Sequence, residues 1–208
     1  MFSECCELPW MAADKRGRPM FRKLLFAATC FLPAACTGGL HPVVPDTARL
    51  APGALGSGFD PDVTAVNLAR WAFADSGRTR GRPIEGARAA ASMDYIAGEL
   101  YTSPRWANID AITKEQLLQG RQEVRAALGV VPGTPSQAVV DRLTTAANAL
   151  AGGNQAFAIA QLGSPVFAEP GEQVLQRLAN LPYMQMANVS TTRAGNELFQ
   201  DGRGDTFY

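Results

Sequence analysis

The stretch TKEQLLQGRQEVRAALGVVPGTPSQAVVDRLTTAANAL, Thr113 to Leu150, carries two helices in succession and decides the class of the chain around it. Thr113 with Gln116 three residues later has the form of a capping box, in which a hydroxyl and a carboxamide satisfy backbone donors at a helix start. Leu117, Val124, Ala127 and Leu128 then recur at helical spacing, and Gly129 stands where a left-handed C-cap belongs. Thr134-Pro135-Ser136-Gln137 repeats the device, with Val140, Leu143, Ala147 and Leu150 on one side and Gly152-Gly153 as the stop. The two starts lie 21 residues apart, but no other segment keeps that interval, so a solenoid is a weak option.

Working outward, the same signals recur. Asp60-Pro61 is an N-cap followed by proline at the first helical position. It opens a helix with Val63, Val66, Ala69 and Phe73 on one side and Leu68, Trp71 and Ala72 beside them, ending near Ser76-Gly77. A longer helix is predicted over Pro83–Tyr101, where Ala89, Met93, Ile96, Ala97 and Leu100 keep the period and Gly86 and Gly98 allow close approach by a neighbour. Ser103-Pro104 ends it, and Trp106 and Ile109 are expected to fold back onto the core. Asn154–Leu162, Pro170–Leu181 and a segment from Pro182 through Leu198 supply the remaining helices. No run alternates apolar and polar residues long enough for a sheet. The expected fold is all-α, an array or bundle of about six to seven helices over residues 60–200 after a flexible N-terminal tether, with a frayed tail at 201–208.

Upstream, Arg22 and Lys23 precede the nine-residue apolar run Leu24–Leu32, which Pro33-Ala34-Ala35 and Cys36 follow. That is the order of an export signal, and the run is too short for a bilayer span of about 20 residues. Residues 1–19, with Cys5, Cys6, Trp10 and a charged stretch, read as a misassigned start or a dispensable leader, and 20–35 as the signal.

Leu32–Cys36 resembles the lipobox of bacterial lipoprotein precursors, where small residues lead to a cysteine that is acylated and becomes residue one. Pro33 stands where that family usually has leucine, and Leu32 lies one step further off. Cys30, after Ala27-Ala28-Thr29, is a poorer match. The resemblance implies lipidation at Cys36, palmitate-type acylation and attachment to a membrane facing the periplasm. Thr37, standing where aspartate typically retains such proteins on the inner membrane, leans towards the outer one.

Removing the 35 residues before Cys36 from 208 leaves 173, enough for one domain with a genuine core. Of the four cysteines three lie upstream, so Cys36 is the last thiol left and no intrachain disulfide can form. Lipidation would remove the oxidation liability of that lone thiol. Five of the 19 Lys+Arg and three of the 19 Asp+Glu also lie upstream, so the remainder carries 14 and 16, a formal charge of −2, and no nucleic-acid face is implied. Residues 36–59, rich in Gly, Pro and Ala, read as the lipidated tether, with roughly 25 Å of random-coil reach.

Chemistry is sparse. The sole histidine, His41, falls in the tether, which leaves no base for Ser-His or Cys-His schemes and no His/Cys zinc site. No phosphate-binding glycine loop occurs, and no cofactor, metal or catalytic residue is assigned. An enzyme would have to pair two of Asp94, Glu99, Glu115 and Glu123, as in glycan hydrolysis. Arg78, Arg80 and Arg82 form a basic loop, read first as a solvated turn and second as a site for phosphate or lipid head groups. Trp71, Tyr95, Tyr101, Trp106 and Tyr183 would line a groove for an apolar or glycan ligand, or belong to the core. Arg203-Gly204-Asp205 and Asn188-Val189-Ser190 are short motif matches given little weight. The expectation is a lipid-anchored envelope protein whose helical domain binds a protein or peptidoglycan partner without catalysis. The alternatives are a carboxylate enzyme on envelope glycans and a carrier of an apolar ligand.

Overall fold

Alanine and glycine dominate the helix at the centre. In the computed structural model, which describes residues 45–56 and 60–204 with side chains to 198, α2 (Pro83–Thr102) is buried over nearly its whole circumference from Gly86 to Gly98. Small side chains make this possible, because they let neighbours approach on every side. Around it stand α1 (Pro61–Phe73), α3 (Ala111–Leu128), α4 (Ser136–Ala151), α5 (Gln155–Gln161), α6 (Gly171–Leu178) and α7 (Gln185–Gly204). The all-α expectation of six to seven helices holds. Among the described residues the extended pairing is a single antiparallel bridge, Val130 with Phe167, which ties the turn after α3 to the loop after α5.

The core runs through every helix. Val66, Met93, Ile96, Leu100, Leu117, Leu128, Leu143, Leu162, Phe167 and Leu178 are all fully enclosed, and Trp106 and Ile109 fold back onto them from the loop after α2, as expected. Gly86 lies so close to α6 that a methyl group there would sit 2.1 Å from the Leu178 carbonyl oxygen. Gly98 is also tight, but its neighbour is an extended segment, with the Asp46 carbonyl oxygen 2.6 Å from where a methyl would stand.

That segment belongs to the stretch read as tether. Asp46 accepts a hydrogen bond from the Ser136 amide at the start of α4. Arg49 and Gln137 exchange two more, the Arg49 amide donating to Oε1 (2.7 Å) and Nε2 donating to the Arg49 carbonyl (3.0 Å). Ala48, Ala54 and Leu55 are buried. The folded body therefore begins upstream of Asp60. The rest of the tether and all of 1–36, including the signal and Cys36, lie outside the described residues.

Helix starts differ from the sequence reading for local reasons. Asp60 caps α1 as expected, accepting from the amides of Asp62 and Val63. Asp110, not Thr113, caps α3 by accepting from the Ile112 amide, and Thr113 lies within the first turn with its hydroxyl donating to Glu197 (2.7 Å). Thr134 turns its hydroxyl back to the Val131 carbonyl, and α4 starts two residues later with Asp46 in the place of a local cap.

Candidate functional site

The four carboxylates considered for catalysis are occupied elsewhere or stand apart. Asp94, almost fully buried, meets Arg125 in a bidentate pair with both N–O distances 2.7 Å. The same guanidinium donates to the Thr134 carbonyl and the Ser136 hydroxyl (both 2.9 Å). Burial opposes the Arg125 charge, but the Asp94 hydrogen bond and charge outweigh it and raise its pKa. Arg121 stands beside it without a carboxylate, donating to the Asp46 carbonyl and the Ser136 hydroxyl, and burial lowers its pKa. Glu123 accepts from the Met186 and Ala187 amides at the start of α7. Glu115 accepts from the Tyr101 hydroxyl at the surface. Glu99 is half-buried on α2. None of the four lines either of the hollows described below.

The structure instead gathers a polar knot that the spacing did not reveal. Asp62, buried in the second position of α1, accepts from the Tyr95 hydroxyl (2.5 Å), the Trp106 indole N–H (2.9 Å) and Arg105 (3.0 Å). Arg105 also pairs with Asp60, and its guanidinium carbon stands over the Trp106 ring, 4.4 Å from its centre. Both oxygens of Asp62 are hydrogen-bonded, as a buried carboxylate requires. Tyr95 and Trp106 are therefore structural. The aromatic residues do not form one groove: Tyr101 pairs with Glu115, and Tyr183 is exposed and accepts from Asn188.

Trp71 is the exception. Expected beside the core, it is 40 % exposed. Asn67, Arg70, Trp71 and Ala74 follow the i, i+3, i+4, i+7 pattern of one helix stripe, and with Arg78 and Thr192 of α7 they line a surface hollow of about 400 Å³. Arg78 is held by a hydrogen bond, and Arg70 packs against α7. Arg78 donates from one terminal nitrogen to the Trp71 carbonyl (2.7 Å), its guanidinium 5.7 Å from the Trp71 ring centre. Arg70 crosses Gly195 of α7, where a methyl group would come within 2.9 Å of its Cδ. Among the described residues no carboxylate lies within 4.0 Å of either guanidinium. The loop that continues from Arg78 is also ordered: Gly81 takes a left-handed conformation (φ 71°) and its amide donates to the Ala179 carbonyl at the end of α6 (2.8 Å), while Arg80 and Arg82 project to solvent.

A second hollow, of about 330 Å³, is framed by the turn Pro52–Gly56 against Pro61 and Thr64. Among the described residues no group of three His, Cys, Asp or Glu is placed to hold a metal ion, and no helix is long and apolar enough to cross a membrane. Of the short motifs, Ser190 is buried inside α7 and Arg203-Gly204 close that helix, with Asp205 outside the described residues. No protein-family model, curated protein or solved structure matches the chain.

Proposed function

We propose that this is a lipid-anchored cell-envelope protein, attached through Cys36 and facing the periplasm, whose helical body is a binding or structural module. What supports this reading is the signal-like order from Arg22 to Cys36 and the lone cysteine left after it; the clamping of Asp46–Arg49 onto α2 and α4 bears on the length of the tether. It leaves eight residues between Cys36 and Pro45, nine Cα–Cα steps with a reach of at most about 30 Å fully extended and roughly 15–18 Å as a random coil. The body would then ride close to the surface that holds the acyl chains. Several chains on one residue would make attachment stable, since one alone binds marginally. The resemblance around Cys36 and the residue after it favour the outer membrane of a two-membrane bacterium.

A binding role is supported further by where the charges are spent. Asp94, Glu115 and Glu123 make specific bonds within the fold, whereas Arg70 and Arg78 stand beside an exposed tryptophan with no carboxylate partner among the described residues.

The test is the intact mass of membrane-extracted protein expressed from its own signal. A mass of residues 36–208 plus diacylglyceryl and amide-linked acyl groups is the expected result. A mass retaining Met1 or Met20 with no lipid, or fatty-acid labelling unchanged in Cys36→Ser, would overturn the anchor.

A further inference from the structure

We propose that the hollow between α1 and α7 is an anion site for a ligand bearing a phosphate group, held by Arg70 and Arg78 with Trp71 as an adjoining platform. The inference deepens the binding-module reading by naming a ligand class, and it does not depend on the anchor.

The donor set favours phosphate. Arg78 spends one nitrogen on the Trp71 carbonyl, and its remaining donors carry the planar fork that matches oxyanions. Arg70, seated on Gly195, supplies a second fork from the same helix stripe. Asn67 adds a neutral donor from a further position, while the Thr192 hydroxyl donates to Asn188. Donors from three positions on α1 and the turn after it thus line one hollow, which suits a tetrahedral group with three or more acceptor oxygens better than a planar carboxylate with two.

The electrostatics agree. Asp75, the nearest carboxylate in sequence, is turned into its own bend, accepting from the Gly77 amide at 2.7 Å. Arg80 and Arg82 on the ordered loop and Arg193 next to Thr192 are exposed and add positive potential around the hollow. The body carries nearly balanced charge, so a cluster of arginines with no acidic partner among the described residues is a segregation that a neutral structural surface does not need. The Arg78 guanidinium, already tied to the Trp71 carbonyl, also loses little side-chain freedom on binding. The exposed Trp71 ring offers a face for a sugar ring or an apolar stem attached to the phosphate.

The test uses the full chain in detergent, titrated with inorganic phosphate, with pyrophosphate, and with micelles doped with either phosphatidylglycerol or phosphatidylcholine, while tryptophan emission is followed. Saturable binding of phosphate or pyrophosphate is expected for a soluble phosphorylated ligand, and a response confined to phosphatidylglycerol for a lipid head group. Either supports the site. Arg70→Gln and Arg78→Gln should each weaken binding about tenfold or more with unchanged circular dichroism. Trp71→Phe should silence the emission change, and Arg177→Gln, remote from the hollow, should change nothing. Binding untouched by the Arg70 and Arg78 variants overturns the proposal, as does no binding of any probe or equal affinity for acetate. If Arg78→Gln unfolds the chain, Arg70→Gln with the acetate comparison still decides. Lipidation of Cys36 is scored separately by mass, so a lipidated protein that binds no phosphate loses the ligand class and keeps the anchor.

Discussion

Glu123 and Glu197 cap each other's helices. Glu123, late in α3, accepts from the Met186 and Ala187 amides at the start of α7, and Glu197, late in α7, accepts from the Asp110 amide and the Thr113 hydroxyl at the start of α3. The two helices are therefore antiparallel, with each carboxylate beside the positive end of its neighbour's dipole. This arrangement fixes both the pairing and its register.

Glu123→Ala and Glu197→Ala should each cost about 1–2 kcal/mol, the scale of a lost N-cap with its dipole contribution. The two contacts lie at opposite ends of the pair, so the double variant should show the sum to within about 0.5 kcal/mol. Urea unfolding of the four proteins checks it. A double variant no worse than either single one would mean that the two caps form one cooperative unit.

Removing Arg125 should be far more damaging than removing any surface charge. Asp94 sits at 3 % side-chain exposure with Arg125 as its partner, and a buried carboxylate without its cation costs on the order of 3–5 kcal/mol. Arg125→Met should lose that much in chemical denaturation. Arg125→Lys should recover only part, because an ammonium cannot reproduce the bidentate fork or reach Thr134 and Ser136 together. The double variant Asp94→Leu, Arg125→Met should be more stable than Arg125→Met alone, since it buries no unpaired charge. If it is less stable, the cost lies in packing and not in the orphaned carboxylate.

Local order was legible in the sequence and remote order was not. Asp60-Pro61 announced α1, Gly129 announced the end of α3, and the apolar period placed Leu117, Leu128 and Leu143 inside, because each depends on residues within one or two turns. Ser136 shows the limit. Its amide is capped by Asp46, 90 residues away, so no nearby spacing could disclose it, and a Gly- and Pro-containing stretch read as tether proved in part to be folded. The hollow was missed for a similar reason. Asn67, Arg70, Trp71 and Ala74 share one stripe of the helix, but Trp71 with Leu68 and Ala72 also borders the apolar side of Val63, Val66, Ala69 and Phe73, and only the placement of Thr192 and Gly195 shows which side is open.

The two tight glycines of α2 should respond differently to alanine. At Gly86 the added methyl meets the Leu178 backbone of α6, 2.1 Å away, and α6 cannot retreat without opening the core. At Gly98 it meets Asp46 and Thr47 of the extended segment. Gly86→Ala should therefore lower global stability by more than about 1 kcal/mol, exceeding the helix-propensity gain of similar size. Gly98→Ala and Asp46→Ala should instead detach the segment. Hydrogen exchange would show faster exchange of the Arg49 amide, which now donates to Gln137, with α2 core amides unchanged. Loss of protection throughout α2 in Gly98→Ala would mean that the segment is an integral part of the cooperative fold.

The Asp60–Asp62–Tyr95 knot should set pH limits on stability at both ends. Burial first, then the hydrogen bond to Asp62 and its charge, push the Tyr95 phenol far above its ordinary 10.0. The unfolded chain releases that proton near 10 while the folded chain keeps it, so the stabilisation is whole below 10 and declines as pH rises beyond it, at up to ~1.4 kcal/mol per pH unit. Asp60 behaves oppositely. Its hydrogen bond from Arg105 outweighs partial burial and holds it below 3.8, so its contribution is whole above 3.8 and is lost as pH falls through the lowered value. Tyr95→Phe should flatten the alkaline limb at the expense of about 1–3 kcal/mol near neutrality, because Asp62 loses one of its three donors. Arg105→Gln should remove the acid dependence due to Asp60 and leave the alkaline limb. Urea midpoints across the pH range separate the two effects. An alkaline limb unchanged in Tyr95→Phe would mean that the loss of stability comes from other phenols, and that burial beside Asp62 does not hold this one protonated.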